Sequence, residues 1–183
     1  MSAFTKLMES GLGPGKPLRV LAASGQLGYG IPERAFREGL ARKPHMIGCD
    51  MGSIDVGPYY LGAGEIATSE MITRRDLRLV LSAAVGAGIP LIIGTAGTAG
   101  AAPHLEKTLE MVRSIAADDG LEFKLAVIPA DIPRDFLKDM VAQGRTRSLG
   151  EIDELTETTV DNASHIVGQM GVEAFIRAMK TGP

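Results

Sequence analysis

Residues 90–112 read PLIIGTAGTAGAAPHLEKTLEMV, and the reading of this stretch decides the fold. PLIIG is a short apolar run rich in β-branched residues, which is strand material. GTAGTAGA follows with almost no side chain to pack. Pro103 then suits the first turn of a helix, and Leu105, Leu109, Val112 and Ala116 recur on one helical face. The order is therefore strand, glycine loop, helix.

The same unit recurs on either side. Upstream, LRVLAA (18–23) runs into SGQLGYG and then a helix over PERAFREGLARK, with Pro32 and Glu33 at its start and Pro44 beyond its end. HMIGCD (45–50) is the second strand. A long irregular stretch separates it from TRRDLRLVLSAAVGAG, where Leu77, Val80, Leu81, Ala84 and Val85 share a face. There Thr73 and Asp76 resemble a capping box. Downstream, EFKLAVIP (122–129) reads as a fourth strand. PRDFLKDMVAQG reads as a helix with Phe136, Leu137, Met140 and Val141 inward, and VEAFIRAMKTG as a last helix with Val172, Phe175, Ile176 and Met179 in register. Residues 145–160 are polar and carry no clear period.

Strands that alternate with helices need crossover connections, hence parallel strands. The expected fold is α/β: a doubly wound, mostly parallel sheet with helices on both faces, Rossmann-like or flavodoxin-like. Residues 1–17 read as a flexible N-terminal arm, and 18–183 as a single α/β domain, possibly the N-terminal part of a larger protein.

Composition excludes several function classes. The formal charge of −3 is spread over interspersed acidic and basic residues, with no basic run for nucleic acid or a membrane surface. No apolar stretch approaches the ~18 residues of a membrane span. The expectation is a cytoplasmic protein with a small-molecule substrate, either a homo-oligomer or a partner subunit. Cys49 alone allows no internal disulfide and no zinc spacing, and its apolar neighbours mark it as an inert buried thiol.

Chemistry is expected at the carboxyl ends of the strands, where open parallel sheets bind ligands. Glycine lets backbone amides approach a ligand, and a following helix N-terminus favours an anion. The first loop offers Ser24, Gly25 and Gln26. The third offers Thr95, Gly97 and Thr98, with His104 just beyond. The second loop is far longer than the usual 2–6 residues or so, a length that tends to be functional. It carries Asp50 at the strand end, then Ser53, Asp55 and Tyr59. Asp50 and Asp55 are the catalytic candidates, as an acid/base pair or as ligands to substrate hydroxyls or Mg²⁺; turn capping by Asp55 is the bland alternative. The other residues named here are substrate-binding candidates. Asn162 joins them from DNASHIVGQMG, where Asp161 and His165 would share a face if that segment is helical. No motif assigns a metal. Cofactors stay unknown: Gly25, Gly28 and Gly30 spell G-x-x-G-x-G, with Asp50 placed as a ribose acid would be, yet Pro32 starts its helix after the last glycine, which opposes nicotinamide binding.

RVLAASGQLGYGIPE, IGCDMGSIDVGPYYLG, PLIIGTAGTAGA and VDNASHIVGQMGVEAFIRA together resemble the N-terminal portion of the acyclic terpene utilisation AtuA family, a domain of unknown function. The likeness runs from about Leu18 onward. Members are usually longer, and in them another apolar strand follows the helix at 172–180. The resemblance implies a part in catabolism of branched or acidic small molecules through acyl-CoA intermediates, and supplies no catalytic residues. Three readings result: a catabolic enzyme or subunit binding an anionic ligand (acyl-CoA or organic acid), a non-catalytic assembly or ligand-sensing module, and an NAD(P)-dependent oxidoreductase.

Overall fold

A computed structural model describes residues 6–7 and 15–181. Most of the expected arm over 1–17 lies outside the described residues. The chain runs β1 (Val20–Ala22), α1 (Glu33–Ala41), β2 (Met46–Gly52), α2 (Tyr59–Ala63), α3 (Glu70–Ala87), β3 (Leu91–Thr98), α4 (Ala102–Asp119), α5 (Arg134–Ala142), α6 (Glu157–Asn162) and α7 (Val172–Lys180). The sheet has three parallel strands in the order β1-β2-β3. This is an α/β fold. Among the described residues the strand order never reverses, so the doubly wound arrangement and its switch point are not formed by these strands.

The expected fourth strand over 122–129 does not form. EFKLAVIP forms no regular secondary structure and pairs with no strand among the described residues, with Phe123, Leu125 and Val127 exposed. β composition favours a half-buried pleated surface, and it makes no strand without a ladder partner. β3 is longer than expected, because the glycine loop itself rejoins β2: Asp50 pairs with Gly94 and Gly52 with Thr98. β3 takes four steps there while β2 takes two, so residues 95–97 bulge out of the ladder.

The core lies between β2, β3, α3 and α4. Ile47, Met51, Leu77, Val80 and Ile115 are fully buried in it. α3 begins at Glu70, so Thr73 and Asp76 lie inside the helix and form no capping box. α3 and α4 lie side by side, tied by Arg74 and Arg78 to Asp118. On α4 the stripe that packs inward is His104, Thr108, Met111 and Ile115. The stripe anticipated from Leu105 and Leu109 faces a cleft instead. α5 buries no residue, and Phe136 is exposed rather than inward. On α7, Val172 and Ile176 are likewise exposed. α6 ends at Asn162, so Asp161 and His165 share no helical face. Among the described residues no helix is long and apolar enough to cross a membrane.

Candidate functional site

A cleft of about 1410 Å³ opens at the carboxyl ends of β2 and β3 and continues along the outer edge of β3. At its mouth it gathers Asp50, Ser53, Asp55, Thr95 and Thr98, five of the residues picked out from sequence. Deeper, the walls are apolar: Leu91 and Ile93 of β3, Leu109 of α4, Leu125 of the unpaired segment and Phe175 of α7.

Asp50 sits near the carboxyl end of β2, two residues before its last residue, Gly52. Its Oδ1 accepts the Met51 and Gly52 amides at 2.7 and 2.9 Å, which fixes the carboxylate at the strand end. Asp50 is exposed, and Gly94, its partner across the ladder, sets no side chain beside it. The floor of the mouth is tighter. A Cβ on Gly52 would lie 2.1 Å from Thr95 Cγ2, and one on Gly97 2.6 Å from the His104 carbonyl. Both positions require glycine. Thr95 and Thr98 adopt φ of 47° and 88°, a region that β-branched residues rarely enter. Such strain costs about 1–3 kcal/mol per residue and collects at functional sites. Thr98 is held there by accepting the Ala67 amide on Oγ1 (2.9 Å) and the Ser53 amide on its carbonyl (3.2 Å). Asp55 is exposed, and its amide bonds to Ser53 Oγ.

The other candidates lie elsewhere. The amides of Gly28, Gly30 and Ile31 do form an anion-binding nest, but the anion is the chain's own Asp76. It is fully buried and accepts all three at 2.9–3.0 Å, with Arg75 as a fourth donor. The expectation that this loop cradles a ligand through those amides is corrected accordingly, and a pyrophosphate has no claim on them. Ser24 turns back on Gln26, its Oγ donating to the Gln26 carbonyl at 2.7 Å. Gly25 and the buried Gln26 stay with that loop, outside the cleft. The α4 N-terminus is engaged in the same way, since Asp131 Oδ1 accepts the Ala102 amide at 3.1 Å. Sequence offered no sign of either carboxylate's role, because each acts on backbone at least 29 residues away.

His104 is fully buried, not a surface residue. Its Nε2 lies 3.0 Å from the Tyr60 carbonyl. A carbonyl only accepts, so Nε2 carries the proton and the imidazole pins α2 against α4. Tyr59 points outward and meets Tyr60 edge-on at 5.2 Å. Asn162 is exposed and does not line the cleft. Beside it, hydrogen bonding to Asp161 raises the pKa of Lys138. Cys49 lies on β2 beside Ile93 of β3, and burial pushes its thiol up to about 11. Among the described residues no group of three or more His, Cys, Asp or Glu could hold a metal ion.

The mouth thus offers two carboxylates and three hydroxyls over a long apolar trough. No family model matches the chain, and neither a curated protein nor a solved structure is similar to it.

Proposed function

We propose that the chain is a small-molecule catabolic enzyme, or a subunit of one, whose ligand places a polar head at the strand tips and an apolar body in the cleft. The observation that carries this reading is the placement of Asp50: an exposed carboxylate whose Oδ1 is fixed by two amides, at the head of an apolar trough. Asp50 acts as general base or as acceptor for a substrate hydroxyl, with Ser53, Thr95 and Thr98 supplying hydroxyl donors. The amides that would have favoured an anion are taken by Asp76 and Asp131. A hydroxyl-bearing head therefore suits this mouth better than an acid or an acyl-CoA. The doubly wound topology and the likeness to the acyclic terpene utilisation family belong to the same proposal, and branched terpenoid alcohols fit it.

Thermal shift with citronellol, geraniol and their carboxylic acids tests it. A ligand held near 100 Kd contributes about 2.7 kcal/mol, or roughly 5–10 °C in a domain of this size. The alcohols are expected to stabilise wild type and not Asp50→Asn, while both proteins melt alike without ligand. Asparagine keeps an Oδ1 acceptor for the Met51 and Gly52 amides, so a lower melting point of the bare variant would assign Asp50 a structural role. Stabilisation by the acids alone would return the reading to an anion site.

A further inference from the structure

The cleft is larger than one small molecule needs. Ligand pockets run from about 300 to 1,000 Å³, and this one holds about 1410 Å³. Its extra length follows one edge of β3, and among the described residues nothing pairs with the backbone of that edge. The Ile47 N–H donates to the Pro90 carbonyl. In a parallel ladder alternate residues then turn to opposite sides. Ile92 and Gly94 therefore serve β2, and the N–H and C=O of Leu91 and Ile93 point outward. Among the described residues no backbone hydrogen bond joins these groups to residues 122–128, which line the same cleft.

We propose that this slot is a docking site for one apolar β-strand of a partner polypeptide, inserted between β3 and residues 122–128. The inference does not rest on the ligand reading above. Three observations select this occupant. First, the unpaired edge repeats donor and acceptor at the spacing of a peptide backbone, which a lipid or a terpenoid does not match. Second, the volume fits. A strand residue in a packed sheet takes roughly 3.3 × 4.8 × 10 Å, or about 160 Å³. A strand of about six residues then fills most of the slot and leaves roughly 500 Å³ at the mouth, a normal ligand volume. Third, the walls are apolar, with Leu109, Val112, Leu125, Phe175 and Met179 among them. A strand buried there is a near-continuous Val/Ile/Leu run. Among the described residues a second copy of this chain has no free apolar segment to lend: 122–128 is anchored at both ends, where the Leu121 amide bonds to the Ala116 carbonyl, the Ala130 carbonyl accepts from Gly168, and Asp131 holds Ala102.

The probe is the peptide Lys-Val-Ile-Val-Ala-Val-Lys, acetylated, amidated and fluorescently labelled, beside the same peptide N-methylated at alternate residues. Methylation removes hydrogen-bond donors and keeps the apolar surface. The expected result is that the plain peptide binds at least about tenfold tighter than the methylated one, the worth of two or three net hydrogen bonds. It also slows amide exchange at Leu91 and Ile93. Ile93→Pro, which deletes one outward N–H at a position an edge strand tolerates, is expected to lose the same preference. If that variant does not fold, the two peptides on wild type still decide. Equal binding of both peptides, or binding of neither, overturns the proposal. So does a dimer seen by sedimentation that protects Leu91 and Ile93 without peptide, since a second copy would then fill the slot.

Discussion

Residues 20–119 and 120–181 both contain segments of regular helical periodicity and fold to very different effect. In the first region every amphipathic helix finds the sheet or a neighbouring helix, and nearly all buried apolar side chains lie there. In the second, Val160 is the one buried apolar side chain among the described residues, while Phe136, Leu149, Ile152 and Val172 stand in solvent. Periodicity states which face a helix can bury. Whether it buries that face depends on a partner, and the sheet stops at β3 before it reaches the second region.

The contrast yields graded predictions. The largest effect falls on Asp76, whose buried carboxylate satisfies three amides of the first loop. Asp76→Ala leaves them without an acceptor and is expected to cost about 3–5 kcal/mol in chemical denaturation; a loss under about 1 kcal/mol would mean that the loop has other support. Leu77→Ala in the core is expected to cost about 3 kcal/mol. Phe136→Ala on the exposed face of α5 is expected to cost less than about 1 kcal/mol. Equal costs at those two sites would erase the distinction between the regions. The smallest effect concerns Cys49. With its thiol near 11 rather than 9.0, it holds about 100-fold less thiolate at neutral pH than an ordinary thiol and should resist alkylation accordingly until the protein unfolds. The folded state binds this proton more tightly than the unfolded one, so its contribution to stability is full below pH 9 and lost as pH rises through about 11. Denaturation midpoints across that window check the sign.

Much of the first region was legible in the sequence. Alternation of LRVLAA, HMIGCD and PLIIG with amphipathic segments located all three strands and the two longer helices between them, since these signals are local, whereas the five-residue helix Tyr59–Ala63 was read as irregular. The position of Asp50 was legible too, because a carboxylate late in an apolar strand falls near its carboxyl end whatever the strand order, although β2 runs two residues further, to Gly52. Asp76 was not. It sits on the polar side of a helical repeat, and only the fold brings the Gly28–Ile31 loop to it, 45 residues and more upstream. His104 was read as a substrate-binding candidate beside the glycine loop, and its burial against the Tyr60 carbonyl had no local sign, because Tyr60 is 44 residues away. EFKLAVIP has every local mark of a strand, and the structure withholds the neighbour that would make it one.

The open edge of β3 is the claim on which the cleft, its volume and its occupant all depend. Native-state amide exchange resolved along that strand tests it most directly. The account predicts alternation: slow exchange at Ile92 and Gly94, bonded to β2, and fast exchange at Leu91 and Ile93. Uniform protection from Leu91 to Gly94 in the isolated chain would contradict it, because the edge would then already be paired.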